Sequence, residues 1–137
     1  KGNKQNFILG GQKEKLKSAE ETIDRTINAR GYYDDVSLDY LHQTIKLCQL
    51  HNVQLIYIKN PVSSYYTAAA QDAAEKHNLS DKIRQAEKII RSYPKVLYWD
   101  YESYWENNDE YFVDAQHINR KGQKIFTTLI KERLKDL

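Results

Sequence analysis

Residues 53–61 read Val-Gln-Leu-Ile-Tyr-Ile-Lys-Asn-Pro, and this stretch decides how the chain is organised. Its first part, Val53–Ile58, is nearly continuous in apolar side chains, which is typical of a strand buried on both faces of a parallel sheet. The strand is predicted to end before Pro61, because proline has no backbone N–H with which to continue a ladder. A second strand is predicted at Val96–Tyr101 from its β-branched and aromatic content.

Two helices are predicted before the first strand. The first covers residues 12–30, is mostly exposed, and stops at Gly31. The second begins after an N-cap at Ser37 and ends near residues 51–52, with apolar side chains at 3-4-3 spacing along one face. Ahead of both helices, residues 6–9 form either a short strand or only a frayed end.

Three more helices follow the first strand. Ser63 or Ser64 is predicted to cap a helix that runs through about His77, and a cap at Ser80-Asp81 starts another through Ser92. The last helix begins after Asn119 and carries an apolar stripe consisting of Ile125, Phe126, Leu129, Ile130 and Leu134.

Strands that alternate with helices indicate parallel pairing and an α/β fold. The chain supplies only two strands, or three with residues 6–9, whereas open sheets usually contain about four to six. Residues 1–137 are therefore either a single small domain with a narrow sheet or the C-terminal half of a larger one. In that division residues 1–30 hold the first helix, and residues 31–137 form the α/β portion. In the second case a strand should lie at an open sheet edge, through which the chain would associate.

Composition excludes several classes of function. The 21 basic and 19 acidic side chains give a net charge of +2, which is too balanced for a nucleic-acid binder. No apolar stretch approaches the roughly 20 residues that span a bilayer. The single cysteine, Cys48, excludes an internal disulfide and is expected to be a small core residue. The four histidines share no ligand spacing, so no metal site is predicted. The chain starts with Lys rather than Met, and we expect that an upstream part was removed, which leaves export open.

The chemical signal lies just before the last helix, where Asp114 precedes His117 by three residues and Asn119 and Gly122 follow. A carboxylate in this place can accept a hydrogen bond from one ring nitrogen and fix the tautomer. The other nitrogen is then free to take a proton from a nucleophile. We therefore interpret Asp114 and His117 as the orienting carboxylate and the general base of a catalytic triad. The alternative is a surface turn in which the aspartate only bonds locally.

No convincing nucleophile accompanies this pair. Among seven serines, Ser37, Ser63 and Ser80 stand where helix caps are needed, and capping explains them. Ser64 is the least unlikely nucleophile, because it follows a strand and opens a helix. It lacks the flanking glycines of a nucleophile elbow.

The loop before the motif is rich in aromatic and polar residues. Tyr104 and Trp105 lie there among acidic and amide side chains and could line a cleft for a sugar or acyl group, unless they pack into the core. Arg120 and Lys121 follow Asn119 in the first helical turn, where basic residues oppose the helix dipole. They either hold an anionic substrate near His117 or form a tolerated exposed pair.

The block Asp114-Ala115-Gln116-His117-Ile118-Asn119, with Gly122 beyond it, resembles the last conserved block of SGNH/GDSL hydrolases. The order of elements over residues 30–137 is similar to the second half of that flavodoxin-like, three-layer fold. The chain looks closest to bacterial envelope esterases and O-acyltransferases. The family's Gly-Asp-Ser block, its oxyanion glycine and its Gly-x-Asn-Asp block have no counterpart here. The resemblance therefore carries over only Asp114 and His117.

The resemblance implies an ester hydrolase or O-acyltransferase whose serine comes from a missing N-terminal part. It implies a small ester or an acylated glycan as substrate, no cofactor, and a location outside the cytoplasm, in the periplasm or cell envelope. Two alternatives from other classes are left open. One is a non-catalytic SGNH-like module that binds glycan or a protein partner through its aromatic loop. The other is a response-regulator-like signalling domain, although no acidic cluster follows the first strand.

Overall fold

The computed structural model describes residues 10–30, 35–78 and 80–137. The expected strand at residues 6–9 and the stop signal at Gly31 lie outside these residues. The described part contains five α-helices, two strands and a 3-10 helix over Asp109–Tyr111. In chain order the helices and strands are α1 Gln12–Arg30, α2 Asp35–Leu50, β1 Ile56–Lys59, α3 Ser64–Lys76, α4 Ser80–Arg91, β2 Leu97–Asp100 and α5 Arg120–Lys135.

The two strands form a parallel sheet, in which Ile56 lies opposite Leu97 and Lys59 opposite Asp100. The predicted parallel pairing is therefore confirmed. Because α3 and α4 lie between the two strands in the sequence, the α/β class is confirmed as well. The prediction that β1 is buried on both faces was wrong, because Tyr57 is 38% exposed. Among the described residues only β2 pairs with β1, so the sheet is too narrow to bury the strand completely.

The first strand also begins later than predicted, at Ile56 rather than at Val53. The backbone N–H of Val53 donates to the carbonyl of Cys48 (2.8 Å), and that of Asn52 donates to Gln49 (3.2 Å). Asn52 has a positive φ of 52°, so these bonds form the Schellman motif that ends α2. Val53 thus belongs to a helix terminus and is 57% exposed.

Two of the four predicted helix caps form in the structure. Ser63 accepts from the N–H of Tyr66 and caps α3, so Ser63 rather than Ser64 is the cap, and the predicted cap at Asn119 is confirmed. The prediction for Ser37 was wrong, because α2 begins two residues earlier, at Asp35. Ser80 is the first residue of α4 rather than the residue before it.

The core of the described residues contains two separate apolar clusters. The first joins α1 and α3 to the segment between β2 and α5, and its buried members are Ala19, Ile23, Ala69, Ala73, Trp105, Phe112 and Ala115. The second joins α2 to α4 at the amino ends of the strands, through Leu38, Ile45 and Ile89. The half-buried Cys48 lies beside the second cluster rather than within it.

Helices contact both faces of the sheet. Tyr98 points to the face where α4 supplies Glu87 and Arg91. Trp99, the next residue, points to the opposite face, where the Arg133 guanidinium of α5 lies 4.6 Å from its ring. None of the helices that the structure describes is long and apolar enough to cross a membrane.

Candidate functional site

The segment between the 3-10 helix and α5 folds back on itself as a tight loop, residues 112–118, which we call the histidine loop. Phe112 and Ile118 form an antiparallel bridge, and the N–H of Val113 donates to the carbonyl of His117 at 2.8 Å. Phe112 and Ala115 are fully buried, so the loop is anchored in the first core cluster. This anchoring fixes the backbone on which Asp114 and His117 stand.

Asp114 and His117 lie side by side. Nδ1 of His117 is 2.9 Å from Oδ1 and 3.0 Å from Oδ2 of the carboxylate, which confirms the predicted contact. Oδ1 also accepts from the backbone N–H groups of Gln116 (3.0 Å) and His117 (2.8 Å). The two backbone donors hold the carboxylate in one orientation. Because an ionised carboxylate can only accept a hydrogen bond, Nδ1 of His117 must be the donor, and the ring proton is assigned to that nitrogen.

The other ring nitrogen faces outward. The His117 side chain is 68% exposed and that of Asp114 is 36% exposed. Within the described ranges no hydrogen bond engages Nε2 of His117. With the proton on Nδ1, Nε2 has its lone pair available to accept a proton from a group that arrives from outside.

Asn119 and Gly122 hold the loop against the last helix. The side-chain oxygen of Asn119 accepts from the N–H groups of Lys121 and Gly122, and its amide donates to the carbonyl of Glu110 (2.6 Å). Gly122 is buried, and a Cβ at this position would lie 2.8 Å from the carbonyl oxygen of Tyr111. The asparagine and the glycine of the motif therefore have structural roles that bring the helix up to the histidine loop.

The histidine loop lies at the carboxyl ends of the strands. The chain leaving β1 and the chain leaving β2 remain joined by the bond from Val62 N–H to the Glu102 carbonyl (3.1 Å). The next residue, Ser63, donates to the carbonyl of Ala115 from its N–H (3.1 Å) and from its Oγ (2.9 Å). Ligands of open α/β sheets bind at this end of the strands, which is where His117 stands.

Neither serine next to the loop is placed as a nucleophile. Ser63 is completely buried, and its hydroxyl both donates to Ala115 and accepts from Tyr66. Ser64 is half-buried, and no hydrogen bond joins its hydroxyl to His117 in the described part of the chain. Among the residues that the structure describes, neither of these serines is therefore placed to transfer a proton to His117.

The predicted substrate-binding residues are not brought together. Trp105 is only 8% exposed and stacks on Tyr111 with the ring centroids 4.7 Å apart, so the expectation that it lines a cleft is corrected. Its indole instead fills the core between the 3-10 helix and α5. Tyr104 is 48% exposed and remains available to a ligand. Arg120 is exposed on the first turn of α5.

Lys121, in contrast, is engaged. Its ammonium pairs with Glu110 and lies 4.8 Å from the centroid of the Tyr111 ring. The hydrogen bond from Lys121 lowers the pKa of the exposed Glu110 carboxyl, and the carboxylate in turn raises the pKa of the Lys121 ammonium. Lys121 thus neutralises an acidic neighbour instead of presenting a charge for an anionic substrate.

A second polar group, which the sequence did not predict, lies on the α4 face of the sheet. Lys59 pairs with Glu87 (3.2 Å) and Glu102 (2.8 Å), and the Tyr98 hydroxyl donates to Glu87. Burial opposes the Lys59 charge, but the two carboxylates outweigh it and raise its pKa. Burial and the Glu87 charge raise the pKa of Tyr98 to about 12. One sequence feature could have indicated this group: side chains alternate between the two faces of a strand, so Tyr57 and Lys59 of β1 lie on the same face.

Planar groups also stack across this face. The Arg91 guanidinium lies 3.9 Å from the Tyr98 ring centroid, and Tyr98 stacks on Tyr57 with centroids 5.3 Å apart and ring planes at 11°. We call this row the tyrosine stack. The two tyrosines are cross-strand partners, so the row follows the hydrogen-bonding direction of the sheet.

A groove of about 360 Å³ lies at the opposite end of the sheet, between the end of α2 and the residues that precede β1 and β2. Its lining includes Ile45, Cys48, Leu55 and Val96 and no residue of the histidine loop. In the part of the chain that the structure describes, no three His, Cys, Asp or Glu side chains converge as metal ligands would. Comparison with known protein families, curated proteins and solved structures finds no match to this chain.

Proposed function

We propose that Asp114 and His117 are the base half of an acyl-transfer site of SGNH type, and that this chain is the C-terminal portion of an ester hydrolase or O-acyltransferase. The observation that carries the proposal is the position of His117. Its Nδ1 is held by a carboxylate with two further backbone donors, and its Nε2 faces outward.

In the proposed reaction His117 Nε2 accepts the proton of a serine hydroxyl as the serine oxygen attacks an ester carbonyl. The ring becomes an imidazolium, which Asp114 stabilises through Nδ1–H. His117 then returns the proton to the leaving alcohol, and an acyl-enzyme remains. Water or a sugar hydroxyl accepts the acyl group in a second, mirror-image step. The serine comes from outside the described residues, and the substrate is a small ester or an acylated glycan.

The finer fold assignment is part of the same proposal. A partial flavodoxin-like, three-layer arrangement is supported by the parallel strands and by the contacts from α4 and α5 to opposite faces of the sheet. The position of the histidine loop at the carboxyl ends of the strands agrees with it. The proposed location in the bacterial cell envelope, outside the cytoplasm, rests on the family resemblance alone.

Ester hydrolysis tests the catalytic role. We expect the 137-residue chain to release no product from a chromogenic short-chain ester, because a base without a nucleophile gives little acceleration. In the entire gene product we expect turnover, and His117→Ala should lower it by roughly 10²–10⁴-fold, the usual contribution of a general base. His77→Ala, at an exposed position after α3, is the matched control.

Two outcomes would contradict the proposal in different ways. Full activity of the His117→Ala protein would remove the histidine from the mechanism. Turnover by the 137-residue chain that disappears in Ser64→Ala would show that the nucleophile lies in this chain and that the chain is catalytically complete.

The exposure of Tyr104 favours a second candidate, a non-catalytic module that binds glycan. An exposed tyrosine beside acidic residues can stack on a sugar ring while neighbouring carboxylates accept from its hydroxyls. Titration with acetylated oligosaccharides, followed by amide NMR shifts, distinguishes the two. Shifts that centre on Tyr104 and vanish in Tyr104→Ala, without hydrolysis by the entire gene product, would establish the binding module instead.

A further inference from the structure

In the described part of the chain, the outer edge of β1 carries backbone hydrogen-bonding groups with which no strand pairs. The Leu55 carbonyl accepts from Leu97 N–H (3.0 Å), and the Lys59 carbonyl accepts from Tyr101 N–H (2.9 Å). Because backbone groups alternate along a strand, Tyr57 also points toward β2, and the N–H and C=O groups of Ile56 and Ile58 point away from it. In the described part of the chain no other strand pairs with this edge, and β2 is the only element that packs extensively on β1.

The tyrosine stack ends at the same edge. On the β2 side, Arg91 covers the outer face of Tyr98. On the β1 side, Tyr57 contacts one ring, that of Tyr98, among the described residues, and the residue is 38% exposed. The tyrosine stack is therefore covered by Arg91 at the β2 end. At the β1 end, the exposed part of the Tyr57 ring can stack with another planar side chain.

We propose that a second copy of this chain pairs with the β1 edge in antiparallel orientation, with Tyr57 of one protomer opposite Tyr57 of its partner. A two-fold axis perpendicular to the sheet passes between these two residues. Ile56 then exchanges both backbone hydrogen bonds with Ile58 of the partner subunit, and Ile58 does the same with the partner's Ile56. Four hydrogen bonds form and all of the outward groups of Ile56 and Ile58 are satisfied.

Side chains fit this register as well. Tyr57 has its own backbone groups bonded to β2, so it occupies a non-hydrogen-bonded position, where opposite side chains approach most closely. A two-fold axis along the sheet normal keeps both Tyr57 rings on one face, and the stack becomes continuous from Arg91 to the partner's Arg91. Aromatic cross-strand pairs of this kind contribute roughly 0.2–1 kcal/mol each.

Charge does not oppose the pairing. Lys59 lies opposite Leu55 of the partner subunit in this register, and its ammonium is already paired with Glu87 and Glu102. Edge lysines often prevent strands from pairing with other copies, but here the charge is neutralised within the protomer. The small contact predicts a reversible dimer that depends on concentration rather than an obligate one.

Amide exchange on the wild-type chain gives the first test. With rising protein concentration, exchange at the Ile56 and Ile58 amides should slow by at least about tenfold, whereas the Tyr57 and Lys59 amides, bonded to β2, should change little. In parallel, light scattering should show the average mass rising from 16.2 kDa toward twice that value. Fast exchange at both isoleucines at every concentration would overturn the proposal. Slow exchange in a strictly monomeric chain would also overturn it, since a segment of the same chain would then cover the edge.

The register has a test of its own. Tyr57→Lys and Tyr57→Glu should each be monomeric, because like charges would face each other across the axis. An equimolar mixture of the two should regain a dimer of one copy of each. Tyr40→Lys, at a tyrosine of α2 that is 65% exposed, should associate like the wild type. Circular dichroism checks that each variant is folded. If both Tyr57 variants still dimerise alone, or if the folded variants fail to combine, the Tyr57-centred pairing is wrong.

Discussion

Asp114 shows at the scale of one residue how a short loop orients a histidine ring. Its Oδ1 accepts from two backbone N–H groups and from the ring of His117, so the carboxylate is held in one orientation by the fold itself. The cost of ordering the side chain is met during folding, and the tautomer of His117 is fixed with it.

Removal of the Asp114 carboxylate should allow the neutral His117 ring to adopt both tautomers. In Asp114→Ala we expect the neutral His117 ring to lose its preference for the proton on Nδ1. Ring nitrogen NMR shifts measure the two tautomers directly. Asp109→Ala, which removes an acidic side chain paired with Lys15 instead, is the control. An unchanged tautomer ratio in Asp114→Ala would mean that the carboxylate does not orient the ring.

Replacement of Gly122 by alanine has two opposing effects on stability. Alanine would favour the helix by up to about 1 kcal/mol. Its Cβ would also lie 2.8 Å from the Tyr111 carbonyl oxygen, and overpacking of this kind costs about 1–3 kcal/mol. We therefore expect Gly122→Ala to lower the free energy of unfolding, measured in urea, and Lys124→Ala on the exposed side to leave it nearly unchanged. A stabilised Gly122→Ala protein would show that α5 moves away without cost.

At the scale of secondary-structure elements, the stability of α3 depends on Ser63, which caps the helix and also bonds to the histidine loop. Ser63 caps the helix and ties it to Ala115, whereas Ser64, its neighbour, makes neither contact. We expect Ser63→Ala to lower the unfolding free energy by about 1–2 kcal/mol, the usual cost of a lost cap. Ser64→Ala should change it by less than about 0.5 kcal/mol. Equal effects of the two substitutions in urea unfolding would contradict this account of the cap.

Contacts between residues close in the chain were predictable from the sequence, whereas contacts between distant residues were not. The caps at Ser63 and Asn119 and the Asp114–His117 contact involve residues within three positions, and the sequence predicted them. The limits of β1 depended on how α2 ends, which a positive φ at Asn52 decides. The burial of Trp105 depends on Tyr111 and Phe126, which come from a 3-10 helix and from α5. Such contacts form only in the assembled fold.

For the whole molecule, Lys59 and Tyr98 contribute to the dependence of stability on pH in the alkaline range. Burial and the Glu87 charge raise the pKa of Tyr98 to about 12, above the value near 10 in an unfolded chain. The raised pKa of Lys59 acts in the same direction. The folded state binds more protons than the unfolded state in this window. The contribution of protonated Tyr98 to the free energy of unfolding is therefore complete below pH about 10 and is lost as the pH rises toward 12.

Tyrosinate absorbance measures this effect. In the folded wild type Tyr98 should ionise near pH 12, and Tyr98→Phe should remove that late component of the absorbance change. Unfolding in urea should show a smaller loss of stability between pH 10 and 12 in Tyr98→Phe than in the wild type. A Tyr98→Phe titration that keeps the late component would assign it to another tyrosine.

The bonds from Ser63 to Ala115 have a mechanical consequence. They join the start of α3 to the histidine loop, and α3 packs closely on α1 through Ala19, Ala69 and Ala73. Small side chains leave no soft layer between these helices to absorb a displacement. We therefore expect a displacement of α1 to be transmitted through α3 to the histidine loop and to change the direction in which Nε2 of His117 points.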